Sequence, residues 1–273
     1  MKRVVQIICG LLVCLKGMGQ IYHGKVFFGY STSGAYSRQF TDAFSFTANP
    51  ACLGNIDHLF FGTLAENKWM LESLNSYALA ASFPLGGGGV GIALQQSGDA
   101  DFSEQGLEMA YGKNLGKLDI GICFDYLRDR AATYGSVHFI SCSFGMRFRV
   151  NEKLYTGWEL GLPFSGLAGK TNTEKAPQFF RMGFGYAWLD DLSLSLQIEK
   201  QSGQPVDFSG WLDYRYGDHF IFSFGISPVA GSAYFKTGWK KNRLCIQTDL
   251  IYEPVLGFSP GLVLLWEAKN KKE

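Results

Sequence analysis

The sequence lacks an excess of either charge: 25 Lys+Arg stand against 24 Asp+Glu, a formal net charge of +1, and no basic block stands out within its 273 residues. Nothing is there to neutralise a run of phosphates, so nucleic acid is not an expected partner. Past the N-terminus there is also no apolar run of about 18 residues free of Gly, Ser or charge, which excludes a bundle of membrane-spanning helices. Catalytic signatures are missing too. The histidines His23, His58, His138 and His219 are scattered, with no metal-ligand spacing to Cys or carboxylates. No G-x-S-x-G elbow occurs, and Gly86-Gly87-Gly88-Gly89 is not followed by the Lys-Ser/Thr of a phosphate cradle. A rim histidine such as His138 or His219 would suit a barrel hydrolase, but neither has a visible partner, and a plain surface or interface histidine is the expectation. No enzyme, cofactor or metal is expected from these residues.

What is present is apolar and aromatic: 47% of residues are hydrophobic and 15% aromatic against 18% charged, with 34 glycines and 23 phenylalanines. A disordered chain needs the opposite balance. At the N-terminus Lys2 and Arg3 precede a mostly apolar stretch, Val4 to Leu15, and the small residues Gly17 and Gly19 suit a cleavage site, so residues 1–19 read as a secretory signal peptide. Cys14 raises a lipoprotein reading, which Val13 before it and Leu15-Lys16 after it suit poorly.

From about residue 57 to 267 the hydrophobic period is two. Leu118/Ile120/Ile122/Phe124/Tyr126 and Phe180/Met182/Phe184/Tyr186/Trp188 are clear cases of strands with one apolar and one polar face. About fourteen such segments follow one another. Every other connection is short, as at Gly86-Gly87, Asn151-Glu152, Asp190-Asp191 and Lys241-Asn242, and the links between them are longer, as from Arg128 to Gly135 and from Phe164 to Pro177, the longest and the best placed for contact with a partner. A soluble sandwich has no reason to sort its loops this way. An outer-membrane barrel does, with tight turns in the periplasm and long loops outside. The fold class expected is all-β: a transmembrane antiparallel β-barrel of about 14 strands, with an N-terminal plug or hatch-like segment.

The parity opposite the apolar face holds Asp119, Asp125, Arg147, Arg149, Glu159, Arg181, Glu199, Asp213, Arg215 and Asp249, charges of both signs that would face the lumen without favouring either ion sign. Trp158, Trp188, Trp211, Trp239 and Trp266 lie near strand ends and suit aromatic girdles. Cys142 falls on the outward parity and Cys123 and Cys245 on the inward one, so a Cys123–Cys142 disulfide is disfavoured, while a bond from Cys52 to Cys123 or Cys245 stays open. Gly86–Gly91 would make a kink or bulge at the start of the third strand. After Trp266 the chain runs on through Glu267 to Glu273, which displaces inward an assembly signal ending on an aromatic.

Residues 20–56 lie outside the alternation and end in Asp42-Ala43-Phe44-Ser45-Phe46-Thr47-Ala48-Asn49-Pro50-Ala51-Cys52-Leu53-Gly54. This string resembles the motif that opens barrels of the FadL superfamily, and more closely its PorV/PorQ branch, associated with type IX protein secretion; upstream, Gly34-Ala35-Tyr36-Ser37 departs from the glycine-rich string usual there. The resemblance implies fourteen strands, an N-terminal segment entering the barrel, and a family motif carried by Asp42, Ala43, Asn49, Pro50 and Ala51. Asn49-Pro50 also reads simply as a turn leading into the first strand. The organisation expected is signal peptide 1–19, plug-like segment 20–56, barrel 57–267 and charged tail 268–273. Outer-membrane lipid is the expected surrounding. For function, the resemblance implies a non-catalytic accessory of protein secretion, with export components or exported proteins as partners. The alternatives are a FadL-like passive transporter of hydrophobic small molecules, which the charged inward parity disfavours, and a structural or porin-like barrel.

Overall fold

The computed structural model describes residues 34–37, 39–164 and 178–268. The expected signal peptide, residues 20–33, most of the Phe164–Pro177 loop and tail residues 269–273 lie outside the described residues.

Fourteen strands form: β1 Leu59–Asn67, β2 Asn75–Leu85, β3 Gly88–Gly98, β4 Phe102–Asn114, β5 Leu118–Ala131, β6 Gly135–Arg149, β7 Leu154–Pro163, β8 Phe179–Leu189, β9 Leu192–Gln201, β10 Val206–Tyr216, β11 Phe220–Ser227, β12 Ser232–Lys241, β13 Leu244–Glu253 and β14 Gly257–Ala268. Each pairs antiparallel with its sequence neighbours, and β1 pairs with β14 to close the barrel. Closure leaves no unpaired strand edge, which a bilayer core requires.

The alternation legible in the sequence is the alternation of the wall. On β9, Leu194, Leu196 and Ile198 are exposed, while Ser193, Ser195, Gln197 and Glu199 are buried. The exterior is therefore an almost continuous apolar band, bounded by aromatic side chains at both ends. Tyr111, Phe148, Tyr186, Trp188, Tyr216, Trp239 and Trp266 are exposed toward the short-turn end, and Tyr77, Phe102, Phe180, Phe208, Tyr252 and Phe258 toward the other. Trp211 departs from the girdle expectation. It points inward, is 4% exposed, and packs against Tyr234 with ring centroids 6.5 Å apart, because its position on β10 shares the parity of Ser209 and Asp213.

Two further expectations are corrected. The connections opposite the tight turns are shorter than read: 132–134 joins β5 to β6 and 254–256 joins β13 to β14. Residues assigned to the loop from Arg128 to Gly135 stay in the ladder, with Arg128 opposite His138 and Arg130 opposite Ser136. Past Tyr126 the outward parity turns polar, so these strands leave the apolar band still paired. The glycine run at Gly86–Gly91 makes no bulge: Gly86 and Gly87 form the turn with φ of 61° and 78°, and from Gly88 onward β3 keeps regular register on both sides. Among the described strands, the register shifts at Ala187/Leu189, between β8 and β9.

Inside the barrel, in the half nearer the short turns, lie the described residues of the N-terminal segment. They include a one-turn helix, α1 (Ser45–Ala48), and a 3-10 turn, Pro50–Asn55. The wall makes room for them with glycine. Gly89, Gly112, Gly121 and Gly145 stand Cα to Cα across β3, β4, β5 and β6, a row of inward positions without side chains. A Cβ at Gly121 would collide with the Pro50–Ala51 peptide, one at Gly145 with the Asn49 side chain and one at Gly185 with the Tyr36 carbonyl.

Candidate functional site

The motif residues are spent on seating this segment. Asp42 Oδ1 accepts from the Phe44 amide at 2.9 Å and from Ser45 Oγ at 3.0 Å, closing the turn before α1. Asn49 is fully buried; its Oδ1 accepts from Ala51 N at 3.0 Å and so caps the 3-10 turn that Pro50 begins. Its Nδ2 faces the carbonyls of Met146 and Trp158 at 3.4 and 3.5 Å, on β6 and β7. Ala43 and Ala51 are fully buried. Asn49-Pro50 is thus both the turn the plain reading expected and a contact with the wall.

Charged wall residues hold the segment in place. Arg147 on β6 donates to Asp119 on β5 from Nε at 3.1 Å and Nη2 at 3.0 Å, and its Nη1 approaches Cys52 Sγ at 3.7 Å. Asp119 also accepts from Asn55 and Asn114, each at 2.6 Å. Arg181 lies between Glu159 Oε2 at 3.1 Å and Glu199 Oε2 at 2.8 Å, and Tyr36 OH donates to Gln197 Oε1 on the neighbouring strand at 3.1 Å. Arg215 donates to the Gln39 carbonyl at 2.6 Å and stacks over Phe40. Ser223 Oγ donates to Asp213 at 2.6 Å. Of the ten inward charges read from parity, the structure brings Asp119 with Arg147, and Glu159 with Arg181 and Glu199, into buried clusters. Arg149 instead reaches the turn carbonyl of Gly116 at 3.1 Å; Asp125 lies farther along β5 than Asp119 and Asp249 lies on β13, both half-buried.

Burial pushes the Cys52 thiol up to about 11, against the pull of the neighbouring Arg147, and raises the Tyr36 phenol as well. Cys52, Cys123, Cys142 and Cys245 are all free thiols, so the Cys52 disulfides left open by the sequence are not formed.

The lumen is not uniformly charged, which corrects the reading of the inward parity. Around β14 and β1–β5 the inner wall carries Leu64, Ala78, Ala80, Ala93, Ala110, Cys123 and Val263, packed against Phe44, Phe46, Leu53 and Ile56 of the segment, with Phe60 and Leu265 beside them. The charges lie mostly on the other side, and they are sorted by depth as well. Toward the longer-loop end the inward positions include Glu66, Glu108, Asp125, Glu159, Glu199, Asp207 and Asp249 against Arg181 and Lys236. Toward the short-turn end they include Arg147, Arg149, Arg215 and Lys240 together with Asp119 and Asp213. There an open pocket lies between residues 39–42 and the wall of β10–β14 and β1, lined by Phe40, Phe60 and Leu265 together with Arg215, Lys240, Arg243 and Glu267. The sequence reading missed both asymmetries, since parity places a residue on a face but not in a sector.

Among the described residues, the ligand atoms of Glu108, Cys123 and Asp125 on the inner wall lie within 4.8 Å of one another. Sequence spacing did not show it, because Glu108 meets the other two only through the β4–β5 register.

No family profile and no curated relative matches the sequence. The fold does match solved structures. It is similar to the monoaromatic hydrocarbon channel CymD, at 12% identity and a TM-score of 0.60 over 83% of this chain and 92% of CymD. It is similar to the toluene transporter TodX of Pseudomonas putida, at 10% identity and a TM-score of 0.59 over 88% of this chain and 95% of TodX. It is also similar to the outer membrane protein Omp33 of Acinetobacter baumannii, at 5% identity and a TM-score of 0.53 over 79% of this chain and all of Omp33. At these identities the likeness is one of fold. Together with the closed wall and its apolar exterior, it makes this chain a bacterial outer-membrane β-barrel.

Proposed function

We propose that this barrel is a passive, non-catalytic transporter of hydrophobic small molecules. The observation that carries the reading is the apolar sector of the inner wall, where small side chains from β2 to β5 face Phe44 and Phe46 of the N-terminal segment. A polar pore has no use for such a sector; a route for an apolar solute does. The N-terminal segment acts as a plug on the periplasmic side, and the cavity beside residues 39–42 is the exit. The acidic lining toward the outer end disfavours anions, so the substrates are neutral apolar compounds rather than carboxylates. Two of the structural neighbours, a hydrocarbon channel and a toluene transporter, agree with this reading.

The secretion-accessory reading rests on the string Asp42–Gly54. Most of these residues are buried against the barrel's own wall, which supports a shared architecture more than a shared partner. Purification in mild detergent separates the readings. Mass spectrometry is expected to find neutral hydrophobic compounds bound to the barrel; stoichiometric export components or exported proteins, with no such compound, would replace transport with secretion.

A further inference from the structure

Three of the described residues other than glycine have a left-handed backbone. Asn242 sits in a tight turn, where asparagine is common; the others are the adjacent pair Trp69 and Met70, with φ of 53° and 56°. Both are bulky, and both stand in the connection 68–74 from β1 to β2, at the longer-loop end. Such residues persist in this region when surrounding contacts hold them there, and they concentrate at clamps and switches. Here two hydrogen bonds supply the hold. The Trp69 amide donates to Ser259 Oγ on β14 at 2.9 Å, and Trp69 Nε1 donates to Glu253 Oε2 on β13 at 3.0 Å.

Ser259 shares the inward parity of Val263, and Glu253 stands opposite Gly257 on that same face. Because β14 lies between β1 and β13, an indole that leaves the end of β1 and reaches Glu253 crosses the inner face of β14 at its outer end. The next inward row of the wall is Glu66, Gly261 and Asp249, and the row after it brings Leu64 and Val263, where the apolar sector begins. Further down, Phe44 of the N-terminal segment lies against Gly62. Trp69 and Phe44 thus stand at opposite ends of one stretch of inner wall.

We propose that Trp69 is the outer gate of the transport route, its indole roofing the apolar sector until the strained turn swings away to admit a solute. The proposal rests on the transport reading. Strain brings the closed turn nearer in free energy to the open one, so the two tethers hold it shut by a small margin. Opening breaks no ladder bond, since β1 and β2 stay paired up to Asn67 and Asn75 and both tethers end on side chains. Met70 and Leu71 beside the indole are exposed, so an arriving apolar solute meets the turn itself.

The test is initial uptake of labelled toluene by whole cells, paired with amide hydrogen exchange over residues 68–74 in the purified barrel. Glu253→Ala removes the acceptor of the indole N–H: exchange in the turn is expected to quicken and uptake to rise several-fold. Glu253→Gln, which keeps an acceptor there, stays near the wild type. Met70→Asn relaxes the left-handed backbone without touching either tether; exchange is expected to slow and uptake to fall about fivefold, the order of one strained residue relaxed. A turn with a merely structural role would be steadied by Met70→Asn with uptake unchanged. Wild-type uptake that responds to neither Glu253→Ala nor Met70→Asn, both shown assembled by heat-modifiable mobility, would overturn the gate and leave transport standing. Absence of wild-type uptake overturns both. If Glu253→Ala does not assemble, Met70→Asn decides, because the exposed Met70 side chain can be replaced without loss of packing.

Discussion

Arg147 on β6 and Asp119 on β5 are bound to each other inside the barrel by two donations to one carboxylate oxygen, at 3.0 and 3.1 Å, and both are almost fully buried. Through Asn55 and Cys52 the pair also joins the wall to the N-terminal segment. It serves as the latch between the two.

Removing one member of the latch leaves a buried charge without its partner. Arg147→Met is expected to cost about 3–5 kcal/mol, seen as a lower urea midpoint for loss of the heat-modifiable folded band. Adding Asp119→Leu is expected to restore most of that loss. A double variant as unstable as the sum of the two singles would show that the pair is not coupled.

The glycine row sets how closely the segment approaches. In Gly121→Val the new side chain meets the Pro50–Ala51 peptide, at a cost of about 1–3 kcal/mol. The ladder of β5 has no reason to break, so the barrel still assembles while the segment lifts away. Limited proteolysis is expected to cut within residues 39–56 in this variant and to spare the wild type. Equal protection in both would mean that the segment tolerates a side chain there.

The Cys52 thiol supplies a pH dependence. Burial raises it from its ordinary value of 9.0 to about 11 in the folded protein. Below pH 9 both folded and unfolded forms keep the proton, and the contribution to stability is complete. Between pH 9 and 11 the unfolded form ionises first, so stability falls as pH rises. The unfolding midpoint is expected to drop more steeply over that window in the wild type than in Cys52→Ser. Identical slopes would mean that the thiol does not sense its surroundings.

The outward face can be tested by depth. Leu196, on the apolar exterior of β9, sits among exposed Leu194 and Ile198, whereas Trp188 lies at the short-turn end of β8. Leu196→Lys is expected to cost about 2–4 kcal/mol in a bilayer and Trp188→Lys about 0–1 kcal/mol. Equal costs, measured by unfolding in vesicles, would contradict the placement of the apolar band.

The wall was legible in the sequence because a strand sorts its side chains by parity, and parity needs no knowledge of the neighbours. That is why the strand number and the outward set from Leu118 to Tyr126 could be read directly. Trp211 was misplaced because tryptophan near a strand end suggests an interface, while its own parity put it inside. Arg128 and Arg130 read as loop because they are charged, yet a strand can run past the membrane while still paired. The apolar sector, the latch and the Glu108–Cys123–Asp125 group depend on which inward residues stand side by side. That is set by register and by the path of the N-terminal segment, and single-strand periodicity carries neither.

The central claim is tested most directly by uptake in whole cells, where the lipopolysaccharide leaflet slows hydrophobic solutes. Initial uptake of a labelled neutral monoaromatic compound is expected to rise several-fold on expression of the protein. It should fall back with Ala93→Phe, which fills the apolar sector, provided that heat-modifiable mobility shows that variant assembled; uptake of benzoate should change little. An assembled wild-type barrel that leaves uptake of the neutral compound unchanged would contradict the account.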